Sequence, residues 1–241
     1  RLTNLSYMIN FSKQHTLANS YTFKGKGLHT GLSVTMTIKP AKPNTGVLFH
    51  RVDLGPDAYI NAVSDYVTTT SRGTTLEKGQ VKISTLEHLM ATLYGMHIDN
   101  VLVEIDAPEV PILDGSAKFF ADAIAADGIV EQDAERKYLE IKEKICFRDD
   151  ATGSEIVILP YDSLAVNLMI DFNSKVLGNQ YARFNQHVDF TKEIAPCRTF
   201  VFFHELEPLF KNNLIKGGDP DNAIIVVERP VPPEELDRLA G

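Results

Sequence analysis

The sequence predicts an α+β protein made of two consecutive domains, each a mainly antiparallel sheet with helices covering one face. Three observations carry this reading. The chain has 241 residues, long enough for one large domain or two small ones, each with its own core. In each half, strand-like alternation comes first and helical periodicity follows. A charged stretch, EQDAERK at 131–137, separates the halves as a linker.

In the first half (13–130), TLANSYTF leads through the glycine-rich KGKGLHTG into SVTMTIKPA, where Val34, Met36 and Ile38 alternate onto one face of a strand. PAKPN is a turn, GVLFHRVD and AYINA are strands, and TTTSRGTTLEKG is a polar connection. STLEHLMATLYG at 84–95 spaces Leu86, Leu89, Met90 and Leu93 as one apolar helix face. NVLVEID is a buried strand. After the loop APEVPILDG, with Asp114 as N-cap, comes the helix SAKFFADAIAAD, closed by Gly128.

The second half (138–241) carries strand text in KYLEIKEKICF, SEIVILP and LAVNLMIDF, then a polar insert at about 173–187. RTFVFF, the helix HELEPLFKNN, the loop LIKGGDPDN and the strand AIIVVE follow. The chain opens on Arg1, its first Met is Met8, and PPEELDRLAG begins like a helix and stops. The expectation is a non-native or disordered leader over 1–12 and a second domain truncated at its C-terminal end.

Composition narrows the function class. Apolar residues at 44% and charged residues at 23% are ordinary for a soluble globular protein. A net charge of −8 argues against a general nucleic-acid binder, which needs a basic face, but leaves room for a local pocket for an anionic small molecule. Cys146 and Cys197 stand far apart in no metal-ligand spacing, which fits a reducing compartment. No run approaches the roughly 20 apolar residues of a membrane span, and no signal peptide is visible, so the expected place is the cytoplasm, without stable membrane insertion.

Glu87 and His88 open the helix at 84–95 and admit two readings. In one, Ser84 is the N-cap and Glu87, three residues on, completes a capping box. In the other, the pair does chemistry. His88 points away from the Leu/Met stripe, toward Ala91, Thr92 and Gly95, a small uncharged face that something must pack against. An adjacent Glu-His pair suits metal-assisted hydrolysis: the imidazole binds the metal and the carboxylate takes the proton from its water. GKGLHTG at 25–31 invites a phosphate-loop reading and hence a nucleotide-binding small-molecule kinase. Such a loop should open a helix, and here a strand follows.

In this order and at this spacing, GKGLHTG, STLEHLMATLYG, IDNVLVEIDAPEVPILDGSA, CRTF and GGDPDNAIIV closely resemble the UDP-3-O-acyl-N-acetylglucosamine deacetylase family, the zinc amidases of lipid A synthesis. The resemblance runs from about Lys13 to the end of the chain. It is nearest to the Bacteroidetes type, in which the deacetylase is fused to a hydroxyacyl-carrier-protein dehydratase. It implies two similar two-layer α/β sandwich domains of the ribosomal S5 domain 2 kind, the active site between them, and an insert in each. It also implies zinc-dependent removal of the N-acetyl group from UDP-3-O-acyl-N-acetylglucosamine. His88 then matches a zinc ligand, Glu87 the general base and Thr199 the hydroxyl that stabilises the oxyanion. Leu28 and His29 match an active-site loop and Phe200 the aromatic lining the sugar site. Leu206, Ile215 and Gly218 match the mouth of an acyl tunnel.

The sequence departs from the family in two respects: it lacks an H-x-x-x-D motif and has no counterpart of the family's general-acid histidine. The family takes two further zinc ligands from an H-x-x-x-D motif, and none of the seven histidines here has Asp four residues on. A catalytic zinc needs about three protein ligands. Truncation accounts for the gap, and the alternative to an enzyme is a catalytically dead fragment.

Overall fold

The computed structural model describes residues 12–235; the expected leader, Ser12 apart, and the end of the chain past Glu235 lie outside the described residues. Two compact units are formed, one of Lys13–Ala134 with the chain from Phe190 onward, the other of Glu135–Asp189 with Ser12.

The larger unit begins with β1 (Lys13–Leu17), β2 (Tyr21–Lys26), β3 (Ser33–Pro40), β4 (Val47–Arg51) and β5 (Tyr59–Asn61). β6 (Val67–Thr69), β7 (Thr75–Lys78) and β8 (Val81–Ser84) lead into α1 (Glu87–Gly95). β9 (Val101–Ile105), α2 (Lys118–Asp127) and β10 (Ile129–Glu135) follow. The smaller unit holds β11 (Ile145–Asp149), β12 (Ser154–Ile158), β13 (Val166–Asp171) and β14 (Asn179–Phe184). The chain then supplies β15 (Phe200–Phe202), α3 (Leu206–Lys211) and β16 (Ile224–Val226) to the larger unit.

The main sheet has five strands in the order β2-β3-β9-β4-β5, antiparallel except for the β4–β9 pair. Its alternation is the one written in the sequence: Val34, Met36 and Ile38 of β3 and Val101, Val103 and Ile105 of β9 are buried while their neighbours are not. The buried face shares one core with Leu86, just before α1, with Leu89 and Leu93 of α1 and with Phe120 and Ile124 of α2. Phe23 meets Phe120 edge-on at 4.8 Å between ring centroids, an orientation favoured by the ring quadrupoles. Gly128 ends α2 at φ +79°, its N–H bonded to the Ile124 carbonyl, which is the expected glycine stop.

Four local expectations are corrected. EQDAERK is not wholly a linker: its first residues lie in β10, which pairs with β1. KYLEIKEKICF forms a strand only from Ile145. Asp114 does not cap α2; it accepts from the N–H and hydroxyl of Ser116, and the Ser116 hydroxyl in turn accepts from the Lys118 N–H. Ser84 does not cap α1: it lies in β8 and bonds the Pro108 carbonyl, so no capping box forms with Glu87.

In the smaller unit β11–β12 and β13–β14 are antiparallel hairpins, the second containing the expected polar insert. Apolar side chains including Phe147, Ile156 and Leu168 are exposed on them. The described chain is mixed α and β, rich in strands and poor in helix. No helix among the described residues is long and apolar enough to cross a membrane.

Candidate active site

All nine residues carried over from the motifs fall in the larger unit. The tightest assembly joins two chain segments almost 190 residues apart. The Gly217 N–H donates to the Leu28 carbonyl at 3.0 Å and the Lys216 N–H to the His29 carbonyl at 3.3 Å. The Ile215 N–H points at His29 Nδ1 (3.4 Å), and the Gly218 N–H closes a turn onto the Ile215 carbonyl. A Cβ on Gly217 would lie 2.2 Å from the Gly27 carbonyl oxygen, so the two backbones meet only because residue 217 is glycine. Leu28, His29, Ile215 and Gly218 are therefore brought together.

His29 also reaches the other way. Its Nε2 lies 3.1 Å from the Arg72 carbonyl, the contact of a ring N–H donor. Both ring nitrogens thus face backbone groups, and His29 acts as a strut between the 72–74 and 215–218 segments. Arg72 extends that link by donating to Glu205 at 2.5 Å, which also accepts from the Phe202 N–H. The Arg72 hydrogen bond holds the Glu205 carboxyl below its usual range.

Glu87 is oriented by the same 72–74 segment. Its Oε2 accepts the Thr74 N–H at 3.0 Å, and its Oε1 is 3.4 Å from where a Cβ of Gly73 would sit. The carboxylate lines a cavity of about 300 Å³ whose other walls include Ala62, Val63, Leu76, Leu86 and Met90. Glu87 is half-buried and is not engaged in a helix cap.

His88 is half-buried and makes no side-chain hydrogen bond or ion pair among the described residues. Its small face is covered only in part: Thr92 is fully buried and bonds the His88 carbonyl, and the Phe190 ring lies against Gly95, but Ala91 is exposed. No group of three or more His, Cys, Asp or Glu that could hold a metal occurs among the described residues.

Thr199 and Phe200 are anchored elsewhere. The Thr199 N–H donates to the Gly115 carbonyl at 2.8 Å, and the Thr199 carbonyl accepts from Ile224. Arg198 ties this strand to both flanking loops, donating to the Asp114 and Pro220 carbonyls. Phe200 is 41% exposed, its ring edge-on to Phe202. Leu206 and Ile215 are buried together with Phe203 and Leu209. No hydrogen bond links His88 or Thr199 to the Leu28–His29 assembly among the described residues.

Sequence reasoning missed Glu109. This fully buried residue accepts the His29 and Thr30 N–H groups and the Thr30 and Thr85 hydroxyls. The signal was available, since Glu109 stands beside the apolar Val110, Pro111 and Ile112. The same contacts dispose of the phosphate-loop reading. β3, not a helix, follows GKGLHTG, and the N–H groups of Gly27, His29, Thr30 and Gly31 are all taken by protein acceptors.

Strain gathers here too. Among the described residues, the β-branched side chains with positive φ are Thr85 (+56°) and Ile215 (+53°), and Arg72 is at +59°. Such conformations persist only where the surroundings over-determine them, and they cluster at functional sites. All three touch His29 or Glu109.

The family described as UDP-3-O-acyl N-acetylglycosamine deacetylase (LpxC) matches residues 14–238. The chain is 47% identical over 228 residues to the bifunctional enzyme LpxC/FabZ of Bacteroides thetaiotaomicron, covering 95% of this chain and 50% of that protein. It is 46% identical to the bifunctional enzyme of Porphyromonas gingivalis, covering 95% of this chain and 49% of the other. With the UDP-3-O-acyl-N-acetylglucosamine deacetylase of Teredinibacter turnerae it shares 42% identity, over 89% of this chain and 71% of that one. The chain spans about half the length of the bifunctional relatives. On this match along almost its whole length, the chain belongs to the UDP-3-O-acyl N-acetylglycosamine deacetylase family.

Proposed function

We propose that the protein hydrolyses the N-acetyl group of UDP-3-O-acyl-N-acetylglucosamine, giving the free amine and acetate, as a step of lipid A synthesis in the cytoplasm. One observation carries this beyond family membership. Glu87 is not used as a helix cap; its carboxylate accepts the Thr74 N–H, and the residue lies next to His88 on the first turn of α1 and lines a largely apolar depression.

Each residue then has a role set by its chemistry. Glu87 accepts the proton of the attacking water. The Thr199 hydroxyl donates to the oxyanion that forms at the acetyl carbon, a contribution of about 3–4 kcal/mol for a well-placed donor. Phe200, half-open on its strand, offers a ring to a sugar face. Leu28 and His29 form the loop beside the substrate, and Leu206, Ile215 and Gly218 the apolar mouth for its acyl chain.

His88 is read as one ligand of a catalytic Zn2+. The described residues do not make a zinc site by themselves: they offer one imidazole where about three protein ligands are needed. No step is assigned to the metal, whose other ligands lie outside the described residues in this reading. Two similar α/β sandwich domains fit the apolar side chains exposed on β11–β14. The names of the bifunctional relatives support an accompanying dehydratase domain.

The test uses a chimera in which this chain is extended by the part of the Bacteroides thetaiotaomicron relative beyond the matched 228 residues. Glu87→Gln keeps the shape and the acceptor for the Thr74 N–H but removes the proton acceptor. Turnover should fall by about 10²–10⁴ with an unchanged melting point. Near-normal turnover would refute the assignment.

A further inference from the structure

The geometry points to Glu109 as a positioning residue for this reaction: one buried carboxylate that registers the His29 loop against the start of the helix bearing Glu87 and His88. The inference rests on the proposed deacetylase reading for its link to activity, but its structural half stands alone.

Glu109 is fully buried and makes no ion pair among the described residues. A carboxylate in that position must have its acceptor sites filled or it opposes folding. Four donors fill them. Oε1 accepts from the His29 N–H (2.9 Å) and the Thr85 hydroxyl (2.8 Å). Oε2 accepts from the Thr30 N–H (2.8 Å) and the Thr30 hydroxyl (2.7 Å). Gly27 leaves room for this: a Cβ there would stand 2.3 Å from Oε2. The backbone of Glu109 is fixed independently by a bridge to Ser84, with the Val110 N–H on the Ser84 carbonyl.

The consequence is a three-way registration. Thr85 precedes α1 by two residues and holds a left-handed backbone that a β-branched residue ordinarily avoids. Its hydroxyl bond to Oε1 helps hold that turn, which leads into Glu87, the first residue of α1. The two N–H bonds to Glu109 hold the inner side of the His29 loop, while the 215–217 backbone holds its outer side. Glu109 thus fixes the distance between a substrate-binding loop and the general base while touching neither substrate nor reacting atoms.

Glu109→Gln tests this, because an amide replaces one acceptor oxygen with a donor. A hydroxyl can rotate to accommodate an NH2 group, but a backbone N–H cannot, so whichever way the amide turns, the His29 or the Thr30 N–H loses its partner. In the 241-residue chain, amide hydrogen exchange at His29 or Thr30, whichever N–H loses its acceptor, should quicken at least tenfold while amides of β3 and β9 keep their protection. In the chimera, KM should rise and kcat should fall, each several-fold, with the pH profile unshifted. Thr85→Val should move the same readouts in the same direction, and Thr85→Ser should restore them.

Unchanged exchange at His29 and Thr30 overturns the proposal, as does uniform quickening across the unit, which marks an ordinary core residue. Normal KM and kcat in a variant with selectively loosened exchange overturn the link to catalysis. If Glu109→Gln does not fold, Thr30→Val and Thr85→Val, each lacking one hydroxyl donor, carry the same readouts. If the unmutated chimera fails to deacetylate, the proposed function falls while the exchange result still decides the registration.

Discussion

At the scale of single residues, Gly95 shows a contact overruling a propensity. Alanine is favoured over glycine by about 1 kcal/mol in a helix interior and by less at a helix end, so Gly95→Ala at the last residue of α1 would be expected to stabilise slightly. A Cβ at that point would lie 2.4 Å from the Phe190 ring, and Phe190 is itself buried. Overpacking of this kind costs about 1–3 kcal/mol, which exceeds the gain. Gly95→Ala is therefore expected to lower the midpoint of urea unfolding, and an unchanged or higher midpoint would show that the ring moves aside freely. Gly95 shares the His88 face of α1, so the substitution also probes how firmly that face is seated. Glu87 and Glu109 differ instructively. Glu87 was visible in the sequence beside His88, but its orientation comes from Thr74, thirteen residues away. Glu109 was passed over because its four donors come from segments 24 to 80 residues distant.

At the scale of elements, loops are tied to strands by ion pairs that titrate in acid. Lys26, at the end of β2, donates to Asp219 at 2.5 Å and holds that carboxyl below its usual range; Arg72 does the same for Glu205. Unfolded, the two carboxyls titrate near about 3.9 and about 4.3. A folded-state pKa below the unfolded one adds stability that is complete above those values and is lost as pH falls through the folded ones. Thermal unfolding followed downward from pH 6 should therefore show a melting point that drops below about pH 4. Asp219→Asn should melt lower than the parent at pH 6, and the two curves should converge in acid. Parallel curves would show that the pair contributes nothing. All four side chains are partly exposed, so added salt should narrow the gap at pH 6.

At the scale of the whole molecule, the question is how many metal ligands the chain brings together. The described residues contain no group of three that could hold a metal. His29 is not a ready reserve, because both its ring nitrogens face backbone groups. Zinc titrated into the 241-residue chain should bind weakly and give little thermal protection. Submicromolar affinity by calorimetry would overturn this and send the search for ligands back to the chain itself. The chimera used for the activity test should bind the metal tightly, and His88→Ala should weaken it there.

What the sequence by itself determined is what local periodicity and motif spacing encode. Val34, Met36 and Ile38 announced a strand face, Leu86, Leu89 and Leu93 a helix face, and Gly128 a helix stop; each is found in place. A side chain's direction along a strand or helix depends on neighbours two to four residues away, so these features can be read from the text. The ordered motifs likewise pointed to the family. Tertiary structure decided the rest. It paired β1 with β10, joined the chain from Phe190 onward to the same unit as β1–β9, and laid Gly217 on Gly27. It held the Glu87 carboxylate on the Thr74 N–H instead of in a helix cap and filled the acceptor sites of Glu109 with donors from two segments. Those outcomes depend on which distant backbone groups remain to be satisfied once the core has closed, and only the closed core settles that.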